Sequence, residues 1–203
     1  VDCTGDARLE LPADLLRQEA DGYLSPLKDG NGAVKVTARG LEASVPVSVK
    51  DFEKTAPVSF VRDVEPIFSK VGCTNGLCHG AAKGKNGFRL SLRGYDPEFD
   101  HTSLVDDLSG RRFNRADPAQ SLMLLKPTQG VPHTGGFLFD ANSRFYRTLH
   151  RWISEGVPSD AGKTPRASRI ELVPSDVVVR DAGLLQQLLV IAHFPEGGTR
   201  DVT

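Results

Sequence analysis

The chain has 203 residues, of which 39% are hydrophobic and 25% are charged, a composition typical of a globular protein with one large or two small domains. A formal net charge of -1 gives no electrostatic reason to expect nucleic acid or an anionic membrane surface as a partner. The longest purely apolar run, residues 188–192, is far shorter than the roughly 20 residues of a membrane-spanning helix. We therefore expect no nucleic acid and no membrane insertion.

Strands are predicted first along the chain. Residues 33–49 alternate apolar and polar side chains with Gly40 between two runs, which predicts a β-hairpin. Residues 51–58 carry Pro, Lys and Thr and are predicted to be a short linker. Helical spacing then takes over, because Phe60, Val64, Ile67 and Phe68 recur at i, i+4, i+7 and i+8.

This first helix leads into two cysteines that are followed at once by a histidine, Cys73, Cys78 and His79. Each thiol can form a thioether to a haem vinyl group, and the adjacent imidazole can then bind the iron. The usual signature has two residues between the cysteines, whereas here there are four, so the loop has to bulge outward. The alternatives are a zinc site with His133 as a fourth ligand and a Cys73–Cys78 disulfide.

Residues 80–100 are rich in Gly and Lys and predict a loop, then a short hairpin or extended segment with a turn at residues 94–97. Arg111 and Arg112 follow as candidate partners of haem propionates, since a guanidinium matches a carboxylate with two parallel hydrogen bonds. A solvated surface role is the alternative for both arginines.

The sixth iron ligand has two main candidates. Asp117 and Pro118 predict the start of a short helix through Leu125, and this helix carries Met123, a residue type that often fills cores. His133 lies in a loop, residues 130–136, whose Pro and Gly residues let the backbone approach a flat cofactor. We favour His133, with Met123 as the alternative. The remaining histidines are interpreted mainly as structural or surface residues: His101, His150 and His193.

A closing helix is predicted after Asn142 or Ser143. Its apolar stripe contains Phe145, Leu149, Trp152 and Ile153, and Gly156 with Pro158 marks its end. Residues 157–168 are predicted to be a second linker, and alternation then predicts strands at 170–172, 177–179 and 188–192.

Residues 60–156 resemble the planctomycete-type cytochrome c domain. The resemblance is carried by FVRDVEPIFSKVGCTNGLCHGAAKGKNGF, LSLRGYDPEFD, GRRFN and SLMLLKPTQGVPHTGG. It implies one covalent haem c attached through Cys73 and Cys78 with His79 as proximal ligand, and the VPHTGG segment supports His133. With both axial positions filled, the expected function is electron transfer with redox partner proteins, not enzymatic catalysis. A haem peroxidase is a weaker alternative.

The flanking segments are similar to bacterial Ig-like group 2 domains, with the usual end of such a domain at the N-terminal side and its usual beginning at the C-terminal side. We therefore expect a mixed, two-domain fold: a mainly α, class I-like cytochrome c domain at 56–160, and an all-β Ig-like sandwich built from 1–50 and 166–203. An Ig-like structural or adhesive surface protein with an accessory haem is the alternative function.

Three ways of completing the split sandwich are open. The alternatives are pairing of both halves within one chain, completion of each half by another copy of the chain, and an origin of the segment in a longer tandem protein. Pairing between copies is heterologous and can propagate into a filament, which would make an extracellular electron conduit.

Covalent haem attachment is completed outside the cytoplasmic membrane, so we expect an exported protein, extracellular or periplasmic. The sequence begins at Val1 without a charged or apolar leader, which we interpret as removal of a signal peptide. Cys3 has no obvious partner, and three cysteines exclude a complete intrachain disulfide framework.

Overall fold

The structure, a computed structural model, describes residues 4–20, 22–54, 56–179, 182–183 and 185–203, and Cys3 lies outside them. The chain divides into two compact units. The terminal unit combines Val1–Ala56 with Pro165–Thr203, and the central unit is Pro57–Thr164. In the described part of the chain, no helix combines the length and apolar character that crossing a membrane requires.

The first part of the terminal unit contains five strands among its described residues. They are β1 (Arg8–Glu10), β2 (Leu16–Gln18), β3 (Leu24–Pro26), β4 (Gly30–Ala38) and β5 (Leu41–Val49). The predicted hairpin is confirmed as β4 and β5, which pair antiparallel around Gly40. Strand β1 extends this sheet on the β4 side, and β2 pairs with β3 as a separate hairpin. Leu15 and Leu16 pack on Val34 as a small core.

The last part of the terminal unit is a second antiparallel sheet, in the order β6 (Arg169–Val173), β7 (Leu189–His193) and β8 (Thr199–Asp201). The strand predicted at 177–179 is wrong, because these residues form no ladder within the described chain. Exposed apolar side chains lie on both sheets, including Leu41, Val45, Ile170 and Leu172. Completion of these faces by a second copy of the chain stays a prediction.

Four α-helices lie in the described central unit: α1 (Glu65–Lys70), α2 (Pro97–Val105), α3 (Leu122–Leu125) and α4 (Arg144–Ser154). A π-helical turn, Phe60–Val64, runs into α1 and is capped by the Ser59 side chain, which accepts from the Arg62 amide. The predicted stripes of the first and closing helices are confirmed as core. Trp152 is fully buried and stacks on Phe60 with ring centroids 5.3 Å apart.

The predicted mainly α, class I-like cytochrome c domain is wrong. Helical segments make up only 24% of the chain and the four α-helices in the described residues are short, whereas the strands form three sheets. Glycines in left-handed backbone are one physical reason, since a right-handed helix cannot continue through them. Gly72 ends α1 with φ of 85°, and Gly94 has φ of 69° where the next segment turns. An Ig-like β part is compatible with the sheets.

Two Asp-Pro pairs exchange their predicted roles. Asp96 and Pro97, predicted as a turn, begin the nine-residue helix α2, and the Asp96 side chain accepts from the Phe99 amide as its cap. Asp117 and Pro118, predicted as a helix start, open only a 3-10 turn, and Asp117 makes no capping bond. Helix α3 instead starts after Ser121, whose backbone is extended.

Candidate functional site

The cysteine–histidine segment is anchored to the end of α1. The Cys73 amide donates to the Phe68 carbonyl at 2.8 Å, and the His79 amide donates to the Cys73 carbonyl at 3.0 Å. The first and last residues of the motif are therefore held together by the backbone itself, despite the four residues between the cysteines.

The additional residues bulge outward. Thr74 is fully buried, and its Oγ1 lies 3.3 Å from Ser69 Oγ, whereas residues 75–77 are exposed. Gly80 closes the bulge, because a Cβ at this position would overlap the Thr74 carbonyl. Only glycine fits here without moving the backbone of the loop.

A cavity of about 290 Å³ lies beside this segment and brings the predicted site residues together. Its lining includes all of the residues singled out in the sequence: Cys73, Cys78, His79, Arg111, Arg112, Met123 and His133. Its volume is close to the lower end of the range of small-molecule sites, roughly 300–1,000 Å³. Residues up to 60 positions apart in the sequence thus share one pocket.

The His79 ring is oriented by its own surroundings. Its Nδ1 lies 3.1 Å from the Phe88 carbonyl, which only accepts, so the neutral ring carries its proton on Nδ1. Within the described chain its Nε2 has no hydrogen-bond partner. Burial lowers the pKa of His79, and the nearby His133, Lys126 and Arg112 lower it further, against the opposing Phe88 carbonyl. A neutral imidazole with a free Nε2 is the form that binds a metal ion.

The His133 ring has the same arrangement. Its Nδ1 lies 3.2 Å from the Gly136 carbonyl, and its Nε2 has no hydrogen-bond partner among the described residues. The ring packs on Gly135, where an added Cβ would lie 2.7 Å from His133 Cε1. Met123 also lines the cavity but belongs to the hydrophobic core of the central unit, with 9% of its surface exposed.

Both cysteines of the motif are free thiols, so the disulfide alternative is not what the structure shows. Burial and the neighbouring Cys78 raise the pKa of Cys73 to about 12. The thiolate is the nucleophile in cysteine catalysis, and this environment strongly disfavours it. As for the zinc alternative, no three His, Cys, Asp or Glu side chains of the described residues are grouped to hold a metal ion.

Cationic side chains surround the cavity. Arg111 is exposed at its edge, whereas Arg112 is buried, donates to the Ser103 carbonyl at 2.9 Å and lies over the Phe88 ring at 4.0 Å. The sequence interpretation missed Lys85 and Lys126, which also line the cavity. None of the described lining residues is acidic. The pocket therefore suits an anionic ligand with an apolar body.

The other histidines lie outside the cavity lining. His101 Nε2 is 2.9 Å from the Val157 carbonyl, and its ring packs edge-on against Phe60. His150 stacks on Tyr146, and His193 Nε2 lies 2.8 Å from a Glu171 carboxylate oxygen. Each has a structural contact, in agreement with the interpretation favoured from the sequence.

Comparisons with models of protein families, with curated proteins and with solved structures find no match to this chain.

Proposed function

We propose that the central unit carries one covalent haem c and transfers electrons without making or breaking substrate bonds. Cys73 and Cys78 would form the two thioethers, His79 would be the proximal ligand and His133 the distal ligand. When bound, the haem supplies an iron that cycles between its ferric and ferrous states.

One observation carries the proposal: two imidazoles in one cavity are each held through Nδ1 by a backbone carbonyl, which leaves Nε2 available. The contacts are His79 to Phe88, at 3.1 Å, and His133 to Gly136, at 3.2 Å. Hydrogen bonding of the second ring nitrogen is typical of metal-binding histidines, since it fixes the tautomer and the ring orientation. The two thiols beside His79 supply the attachment points.

The charges of the pocket support the same cofactor. A haem has an apolar ring and two propionates, and the lining combines apolar side chains with Lys85, Arg111, Arg112 and Lys126. Because Arg112 already donates to two backbone carbonyls, the exposed Arg111 has more donors available for a propionate. If His79 and His133 both bound the iron, no position would be left for oxygen or peroxide, which favours electron transfer over peroxidase chemistry.

The decisive experiment is expression with a c-type haem maturation system followed by absorption spectroscopy. We expect a Soret band that stays with the denatured chain, and reversible reduction by a mild donor. Absence of the Soret band would refute the proposal. A bound haem that no mild donor reduces, together with strong self-association or glycan binding, would favour the adhesive surface protein instead.

Matched variants assign the distal ligand. His133→Ala should remove the low-spin absorption bands of a six-coordinate haem, while the thioethers remain. Met123→Leu, which nearly conserves side-chain volume, should leave these bands unchanged. The opposite pattern would give the sixth position to Met123.

A further inference from the structure

An apolar surface lies next to the cysteine–histidine segment. Leu77, Leu92 and Tyr95 are 90%, 53% and 86% exposed. Leu92 Cδ1 is 3.9 Å from the position of a Cβ on Gly76, and the Tyr95 amide donates to the Leu92 carbonyl at 3.3 Å. Large apolar side chains clustered in water commonly mark a binding surface.

The backbone of the site holds this surface in place. The Arg93 amide donates to the buried Thr74 carbonyl at 3.2 Å, and the Leu90 amide donates to the His79 carbonyl at 2.8 Å. The segment that carries Leu92 and Tyr95 is thus bonded to both ends of the bulge that carries Leu77. A partner seated here would contact a fixed part of the site.

Most of the charged side chains around this surface are cations. Residues 66–95 contain no Asp or Glu and five cations: Lys70, Lys83, Lys85, Arg89 and Arg93. All five are exposed, and among the described residues none of them forms an ion pair. Arg89 lines a shallow groove together with Leu92, Tyr95 and Phe99. Among the described residues that line this groove, the one acidic side chain is Asp96, the cap of α2.

We propose that Leu77, Leu92 and Tyr95, with Arg89 and Arg93, form the docking surface for an acidic electron-transfer protein. The inference rests on the proposed haem function. An apolar centre with unpaired cations is complementary to a partner that has carboxylates around its own apolar contact. In the docked complex the reduced partner would pass one electron to the haem and would itself be oxidised by one electron, with no bond formed or broken.

Position explains why a partner would use this surface. Leu77 is the residue before Cys78, so its exposed side chain is one peptide bond from a proposed thioether. A protein seated on Leu77 therefore reaches the cofactor through a short covalent path. Transient redox complexes have small interfaces, usually below about 1,200 Å², and a patch of three apolar residues with a charged edge suits that class.

The test is chemical-shift mapping of the isotope-labelled, haem-loaded chain, titrated with an acidic flavodoxin at low and high salt. We expect the shifts to concentrate at residues 76–78 and 89–95 and to disappear at high salt, because exposed charges are screened there. Shifts concentrated elsewhere, or no binding at low salt, would overturn the proposal. Concentration-dependent shifts of the same residues without flavodoxin would identify an interface between copies, and would overturn it too.

Variants sharpen the test. Arg93→Glu should weaken flavodoxin binding about fivefold at low salt, as expected for a charge at the edge of an interface. Leu77→Ser should weaken it about threefold through lost apolar contact. Lys163→Glu is the matched control, because Lys163 is also an exposed cation of the central unit and undergoes the same change of charge. Equal affinities of the Arg93 and Lys163 variants would refute the assigned surface.

The two proposals fail in different ways. Shift mapping reports binding whether or not the haem is reduced. Binding at this surface without reduction of the haem by flavodoxin hydroquinone would count against the proposed electron transfer and leave the surface supported. Equally fast reduction in wild type, Arg93→Glu and Lys163→Glu would support electron transfer and reject the surface.

Discussion

Substituting Glu65 by Gln tests the energetics of a buried acid pair behind the site. Glu65 is 5% exposed, and neither of its carboxylate oxygens has a hydrogen-bond partner in the described chain. Burial and then the negative charge of Asp100, which is itself fully buried, raise the pKa of Glu65 to about 8. Asp100 is better satisfied, since it accepts from both the amide and the hydroxyl of Ser91.

The sign of the effect follows from the proton count. The folded chain keeps a proton on Glu65 that the unfolded chain releases near pH 4.5. The stabilisation of the folded state by this bound proton is fully present below pH 4.5. It is lost as the pH rises towards 8, the pKa of Glu65 in the folded chain. One pKa unit corresponds to about 1.4 kcal/mol. The free energy of unfolding therefore falls by at most about 3 kcal/mol at pH 7 and about 5 kcal/mol at pH 9.

Urea unfolding of wild type and Glu65→Gln across this pH range measures the effect. Gln keeps a donor that can face Asp100 and carries no charge, so the variant should match wild type near pH 4.5 and become steadily more stable by comparison up to pH 9. Glu98→Gln is the control, because Glu98 is exposed and its variant should show no such trend. A difference that does not change with pH, or a more stable wild type at pH 9, would refute this account of Glu65.

Two further substitutions test the pocket and the core. Gly135→Ala places a Cβ 2.7 Å from His133 Cε1 and should perturb the low-spin absorption bands, whereas Gly76→Ala, with its nearest atom 3.9 Å away, should leave them unchanged. Identical spectra of the two variants would contradict the assignment of His133. Trp152→Ala removes a fully buried ring and should lower the free energy of unfolding by about 3–5 kcal/mol. A loss below 1 kcal/mol in denaturant unfolding would mean that this core is not the one described.

Local patterns predicted part of this molecule well. The stripe from Phe60 to Phe68 and the closing helix around Trp152 are buried as expected, because a periodicity of 3.6 depends only on neighbouring residues. The predicted site residues also share a cavity. Two cysteines followed at once by a histidine, and a histidine in a loop rich in Gly and Pro, are patterns visible in the sequence itself, so these positions could be found from it.

The remainder depended on individual side-chain contacts that a repeating pattern does not show. Asp96 and Asp117 both precede proline, and only Asp96 caps an α-helix. After Asp117, Ser121 interrupts the segment, with its hydroxyl accepting from the Asn114 amide. The position of Lys126 in the sequence could have indicated that it lines the cavity, because it directly follows the short helix bearing Met123. The small helical content could not be predicted from the apolar stripes. A stripe shows where a helix lies, but it does not show how far the helix extends.

The outward bulge at residues 75–77 separates the residues that position the thiols and the imidazole from the residues that are exposed to solvent. A motif with fewer residues between the cysteines would leave less room for this separation. Its ends are bonded to each other through His79 and Cys73, so the positions of the thiols and the imidazole depend on Gly80 and on the buried Thr74. The exposed residues between them are free of that constraint. Substitution or a change of length in this loop can therefore alter the exposed surface while the thiols and the imidazole keep their positions.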